Sequence, residues 1–263
     1  MKTFPAPSMA DWLAERPFTL AMSSGFFGFF AHFGVVKALK EHELQPARYC
    51  GSSAGALVAA CMASQACPER MERTLLGLSR EHFWDPSPGL GLLAGKRFRT
   101  LLQELLPITD LALSPTPVAI SAWHAGSRRT RVLSTGDPVE AVYASCAVPF
   151  LFQPARIDGG YYWDGGIADR HGLAGTWPVE RVLYHHLQSR SPWRRANSPA
   201  LQAPLRPNLI TLAIDGLSRS GPGKLEQGRM ALQQAYEATT QALAKPVRQG
   251  IVNVDSVLKR RVH

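Results

Sequence analysis

The chain has 263 residues, 45% of them hydrophobic and 19% charged, a balance that excludes a disordered polymer and fits one globular domain with a substantial core. Lys plus Arg exceed Asp plus Glu by 29 − 20 = +9, so anionic surfaces should attract it. The charge falls in short runs (Arg128-Arg129-Thr130-Arg131, Arg194-Arg195, Lys259-Arg260-Arg261), not in one stripe with interleaved aromatics; this argues against nucleic acid and leaves an anionic membrane surface as the better partner.

In chain order, Met1-Lys2-Thr3-Phe4-Pro5 has no signal-peptide hydrophobic region. Phe18-Thr19-Leu20-Ala21-Met22 reads as a short central strand, and Phe30 to His42 as a helix after a Ser/Gly turn. Residues 18–36 carry no Asp, Glu, Lys or Arg, a length near that of a bilayer span. Ser23-Ser24-Gly25, Gly28, His32 and Gly34 interrupt it, so a buried strand, a glycine loop and a buried helix are expected instead. Arg48-Tyr49-Cys50 is a second strand, Ala54 to Ser64 an Ala-rich helix, and Pro68 to Ser79 another helix. Asp85 to Lys96 is a Pro/Gly loop. It fails as a phosphate loop because Gly91 and Gly95 stand a residue too close and Arg97 replaces the hydroxyl.

Further on, Phe98 to Leu106 is an amphipathic helix stopped by Pro107, and Val118 to Trp123 and Thr130 to Ser134 are strands joined by a polar turn. Val182 to Leu187 and Leu209 to Ile214 are buried strands flanking an exposed loop over Ser189 to Pro207, and a helix from Lys224 to Ala244 ends at Pro246. Strands alternating with helices predict an α/β layered fold with a parallel sheet. No linker or repeat divides residues 1–263, so one domain is expected. Cys50, Cys61, Cys67 and Cys146 show no C-x-x-C and no metal-type pairing with histidine, so free thiols in a reducing cytoplasm, without metal or cofactor, are expected.

Chemistry concentrates at Gly51-Ser52-Ser53-Ala54-Gly55, which fits G-x-S-x-G between a strand and a helix. Glycines permit the tight corner that exposes Ser53 Oγ at a helix N-terminus, where N–H groups favour developing negative charge. The N–H of Ala54 is one candidate arm of an oxyanion hole. Ser23-Ser24-Gly25-Phe26-Phe27-Gly28, after the first strand, supplies the other through Gly25 and Phe26. A base is offered by Asp164 in Trp163-Asp164-Gly165-Gly166 or by Asp158 in Asp158-Gly159-Gly160, one of the two being a plain hairpin turn. Apolar neighbours Tyr161, Tyr162 and Trp163 would raise the pKa of Asp164 and make it the better base.

Three blocks in order make the chain resemble a patatin-like phospholipase. They are Ser24 to Gly28 with the helix Ala31 to Leu39; Cys50 to Leu57 around the G-x-S-x-G; and Ala144-Ser145-Cys146-Ala147-Val148-Pro149, Phe152-Gln153-Pro154 and Tyr162-Trp163-Asp164-Gly165-Gly166. Together they cover much of residues 18–170. The resemblance implies a three-layer α/β/α sandwich, a Ser53–Asp164 dyad without histidine, Asp158 as the turn, and fatty-acyl esters of phospholipids or other lipids as substrates. It implies no metal.

This chain departs from the family pattern in two places. The glycine loop keeps only Gly25 and Gly28 and has no basic residue; two of Phe26, Phe27, Phe29 and Phe30 are expected in the core, the others in an acyl pocket. Asp169-Arg170-His171-Gly172 also stands where many members carry Asn and Pro. Two rival readings remain open. One is an α/β-hydrolase triad drawing its base from His171, His185 or His186; the other is a catalytically silent lipid-binding protein on the same fold.

Overall fold

The computed structural model describes residues 6–188, 198–248 and 250–256. In chain order the elements are α1 (Met9–Glu15), β1 (Thr19–Met22), α2 (Phe29–Glu41), β2 (Arg48–Ser52), α3 (Ala54–Ala63), α4 (Pro68–Leu76), β3 (Gly91–Leu93), α5 (Lys96–Leu105), β4 (Val118–His124), β5 (Arg129–Leu133), α6 (Pro138–Cys146), β6 (Phe150–Phe152), β7 (Ala155–Ile157), β8 (Gly160–Trp163), β9 (Val182–His186), β10 (Leu209–Asp215), α7 (Leu225–Leu243) and β11 (Ile251–Asp255). Nine strands form one sheet in the order β11-β10-β9-β1-β2-β4-β8-β7, with β5 also on β4. The run from β11 to β4 is parallel, while β5, β7 and β8 join antiparallel. Helices flank this mostly parallel sheet, as the α/β/α expectation requires.

Most of the charge-free stretch over residues 18–36 is spent inside the molecule; Phe26 to Phe29 are the part that reaches the surface. β1 is buried along its whole length, and α2 buries Phe30 to Val36 together with Ala38 and Leu39 against α7 and α3. Such helices read as apolar all round because both sides meet protein. Among the described residues no helix is long and apolar enough to cross a membrane.

Two expectations are corrected. The Pro/Gly loop after α4 contains β3, which pairs in parallel with β6 as Gly91↔Phe150 and Leu93↔Phe152 in a separate two-stranded sheet. α4 stops at Leu76, three residues before Ser79, with Gly77 at its C-cap. Of the loop expected over 189–207, residues 189–197 lie outside the described ones; residues 199–201 form a single 3-10 turn.

Sheet register positions the site. β2 runs parallel to β4 and ends with Ser52 opposite Ser121. β8 runs the other way along the same edge of β4 and ends with Trp163 opposite Trp123. Continuing each register by one residue brings Ser53 and Asp164 to the same level of β4, that of Ala122. Two chain ends approaching from opposite directions therefore deliver one hydroxyl and one carboxylate to a single point.

Candidate active site

Ser53 sits at the corner between β2 and α3 with φ 53° and ψ −119°, a conformation that L residues rarely adopt and that turns its side chain out of the sheet. The corner needs its glycines. A Cβ on Gly51 would run into the backbone of Gly55, and one on Gly55 into the backbone carbonyl of Met22 in β1. Ser145 in α6 secures the turn from behind: the Ser53 N–H donates to Ser145 Oγ at 2.8 Å, and Ser145 Oγ–H donates to the Ser121 carbonyl at 2.7 Å.

The Ser53 hydroxyl donates to Asp164 Oδ2 at 2.6 Å, and the Gly166 N–H donates to Asp164 Oδ1 at 2.7 Å. Asp164 is buried, and burial pushes its pKa up to about 6; the Ser53 hydroxyl, the Gly166 N–H and the positive charge of Arg170 pull the other way. Asp158 and Gly159, with φ 49° and 78°, form the two-residue turn between β7 and β8. The duplicate aspartate is thus a hairpin turn.

The loop after β1 is held by polar anchors. The Ser24 N–H donates to the Arg170 carbonyl at 2.7 Å, the Leu187 N–H to Ser23 Oγ at 3.0 Å, and Ser220 Oγ–H to the Phe27 carbonyl at 2.8 Å. His32 Nε2 lies 2.8 Å from the Ser23 carbonyl, so it carries the proton, and His32 Nδ1 accepts from His185 Nδ1–H at 2.8 Å. Burial lowers the His32 pKa to about 4 and drives that of His185 well below the usual range, so this pair stays neutral. The Gly28 N–H donates to the Gly25 carbonyl at 2.9 Å. With Ser53 N–H also engaged, the N–H groups of Gly25, Phe26 and Ala54 are among those without a bonded acceptor among the described residues.

Ser53 and Asp164 line a cleft of about 1350 Å³, together with Gly25, Phe26, Phe27 and Arg170. Ser53 also opens onto a smaller space of about 110 Å³ lined by Phe27, Phe29, Leu57, Phe83, Phe98 and Leu101, among others. The expectation of two core phenylalanines is half right. Phe30 is fully buried, Phe27 and Phe29 are half-buried and face the small cavity, and Phe26 is 55% exposed at the mouth.

The candidate triad histidines are committed elsewhere. His185 pairs with His32, while His171 Nδ1 and His186 Nδ1 each lie 2.8 Å from the Tyr184 hydroxyl. No local pattern marks Ser121, the His32–His185 pair or Arg170 as parts of the site, whereas Ser145 lies in plain view inside the Ala144 to Pro149 block. Cys50, Cys61, Cys67 and Cys146 are all free, with Cys67 exposed.

The sequence pattern of the patatin-like phospholipases matches residues 20–177, more than half of the chain. The chain belongs to the patatin-like phospholipase family. The match runs from β1 through Asp164 to just before β9, so it contains both turns and both chain ends that meet at Ala122. An uncharacterized NTE family protein of Mycobacterium tuberculosis and its counterpart in Mycobacterium bovis are each 28% identical to this patatin-like chain over 158 residues, covering 57% of this chain and 42% of the relative. The match thus spans less than half the length of those relatives. Among solved structures, VipD from Legionella pneumophila superposes with a TM-score of 0.61 at 15% identity, over 86% of this chain and 66% of VipD. That likeness shows the shared patatin-like fold.

Proposed function

We propose that the protein is a serine acyl hydrolase that cleaves a fatty-acyl ester of a lipid through a Ser53–Asp164 dyad. The observation that carries this reading is the 2.6 Å bond from Ser53 Oγ to Asp164 Oδ2 at the wall of a cleft large enough for a lipid ester. Ser53 Oγ attacks the ester carbonyl as Asp164 Oδ2 takes its proton. The N–H groups of Gly25, Phe26 and Ala54 receive the oxyanion, assisted by the start of α3. Collapse of the tetrahedral intermediate breaks the bond to the alcohol, whose oxygen leaves with the proton held by Asp164. Water, deprotonated by the same carboxylate, then releases the acyl group from Ser53. A pKa near 6 suits Asp164 to both steps, since a base near the working pH exchanges protons at low cost in either direction.

The apolar cavity beside Ser53 and Ala54 is the natural seat of the acyl chain. Phe26, Leu90, Phe150 and Ile167 line the cleft and are all exposed, between 36% and 76%. An apolar rim around a lipid-sized cleft, on a chain of net charge +9, supports peripheral docking on an anionic lipid surface in the cytoplasm. Nine of the described strands, β1 and β11 among them, share one sheet, which supports treating the chain as one unit.

Intact-mass labelling with a fluorophosphonate, run with and without anionic vesicles, tests the reading. One adduct is expected, mapped to Ser53, absent from Ser53→Ala and slowed by at least about a hundredfold in Asp164→Asn. No adduct under either condition would leave a silent lipid-binding protein as the better reading.

A further inference from the structure

Two spaces of very different size meet at Ser53. Asp164 lies in the wall of the cleft of about 1350 Å³, whereas the described lining of the space of about 110 Å³ holds neither Asp164 nor any other charged residue. The departing alcohol oxygen takes its proton from Asp164, and the incoming water gives one to it, so the alcohol portion lies on the cleft side. The acyl carbons then point the other way, into the small space.

Three helices wall that small space. α3 supplies Leu57, α4 supplies Leu75, and α5 supplies Phe98, Leu101 and Leu105, whose spacing of three and four puts them on one face. The four leucines are only 3–7% exposed, so protein backs the wall. α5 is also clamped. At its start the Gly95 N–H and the Arg97 N–H donate to the Asp85 carboxylate, each at 3.1 Å. Arg99 forks onto Glu140 of α6 at 2.5 and 3.0 Å and lies over the Tyr143 ring, 3.4 Å from its centre. Phe98 packs on Phe152 of β6 with 5.8 Å between ring centres. A helix face held at both its ends and along its back yields little to an extra carbon, because packed interiors resist overfilling.

Size sets the limit. An apolar cavity of about 150 Å³ takes one benzene, so a space of about 110 Å³ takes about four carbons beyond the carbonyl. On the same scale a sixteen-carbon chain needs about 400 Å³. We infer that the protein selects esters of short acids, about four to six carbons long, with Leu101 and the rest of the apolar face of α5 as the stop. The inference rests on the acyl-hydrolase reading and adds which acids are released. The bulk of the substrate is then its alcohol portion, which the large cleft accommodates.

Turnover of p-nitrophenyl esters of straight-chain acids from two to ten carbons, kept monomeric in dilute solution, tests this; only turnover lost in Ser53→Ala is counted. kcat/KM is expected to rise about fourfold per methylene up to about four to six carbons, as each CH₂ is buried. It should then fall at least about tenfold by eight carbons. Leu101→Ala should raise the ratio of the eight-carbon to the four-carbon ester about tenfold or more, and Leu101→Val a few-fold. Leu101→Phe should move the optimum down to about two carbons. A purely structural fault would lower all esters together and leave that ratio alone. A wild-type optimum at eight carbons or beyond, or an unchanged ratio in Leu101→Ala with a cooperative melt, overturns the inference and leaves the hydrolase standing. If Leu101→Ala does not fold, the Leu101→Val ratio decides, and no change in it overturns the inference. Absence of turnover on every ester overturns it as well, and fluorophosphonate labelling of Ser53 then shows whether the hydrolase reading falls with it.

Discussion

The two turns that flank the cleft begin from neighbouring parallel strands and end in buried helices, yet they are held in different ways. The turn from β2 to α3 is one residue, Ser53, pressed between backbones that leave no room for a Cβ at Gly51 or Gly55. The loop from β1 to α2 runs from Ser23 to Gly28 and is tied by a hydrogen bond from Ser24 to the Arg170 carbonyl and by others received from Leu187, Ser220 and His32. Steric exclusion, backed by the single anchor Ser145, fixes the first; polar anchoring alone fixes the second. The glycines show the contrast directly, since a Cβ on Gly25 would meet only the flexible end of Leu187. A loop fixed by anchors can hold bulky residues on its course: Phe27, whose carbonyl is tied by Ser220, keeps φ 54°, a left-handed conformation that glycine adopts more readily.

Alanine at both turns gives the sharpest test. Gly55→Ala is expected to cost about 3 kcal/mol and at least about a hundredfold in kcat, because the carbonyl of Met22 cannot retreat and the nucleophile must move. Gly25→Ala should cost under about 1 kcal/mol and only a few-fold in kcat. Parallel measurements of Tm and ester turnover that gave equal losses would erase the distinction.

The carboxylate joined to the first turn predicts a trade between stability and chemistry. Asp164 titrates near 6 when folded against an ordinary value of 3.8, so the folded protein holds a proton that the unfolded chain has released. Stability is therefore highest below pH 4 as far as this group is concerned, and falls as pH rises from 4 through 6, by about 3 kcal/mol in total. Asp164→Asn removes that cost, and denaturation at pH 8 should show it more stable than wild type by up to about 3 kcal/mol, the difference vanishing near pH 4. Wild-type kcat/KM should climb through pH 6 as the base ionises.

A smaller effect is expected at the second turn. His32→Ala strips the Ser23 carbonyl of its donor and His185 of its acceptor, costing about 1–3 kcal/mol and about tenfold in kcat, with KM little changed. An unchanged kcat would show that the loop keeps its course without the histidine.

How much of this was legible in the sequence follows the same division. Ser53, β1, β2, α2 and α3 can be read directly, because a corner without room for side chains must be spelled in glycine, and buried strands and helices must be apolar. Asp164 was legible only as one of two Asp-Gly-Gly turns until the ordered blocks around it were considered together. β3, β6 and β7 have three residues each, too few for a period-2 pattern, and β3 and β6 make sense only as partners. α6 could have been found, since Asp137 followed by Pro138 and Glu140 is a helix start, and the Asp137 carboxylate does accept from Val139 and Glu140. The anchors of the second turn come from residues 9 to 193 positions away, and no local pattern announces them.

The bond between Ser53 and Asp164 also joins residues 111 positions apart, across chain that includes β4 and the β7–β8 hairpin. Local helices can form early on any folding route, but this contact waits until β8 has docked along β4 beyond the end of β2. Reactivity of Ser53 should consequently return last on dilution from denaturant, after helical signal and tryptophan fluorescence, so that an acylating probe becomes a clock for the final closure of the sheet.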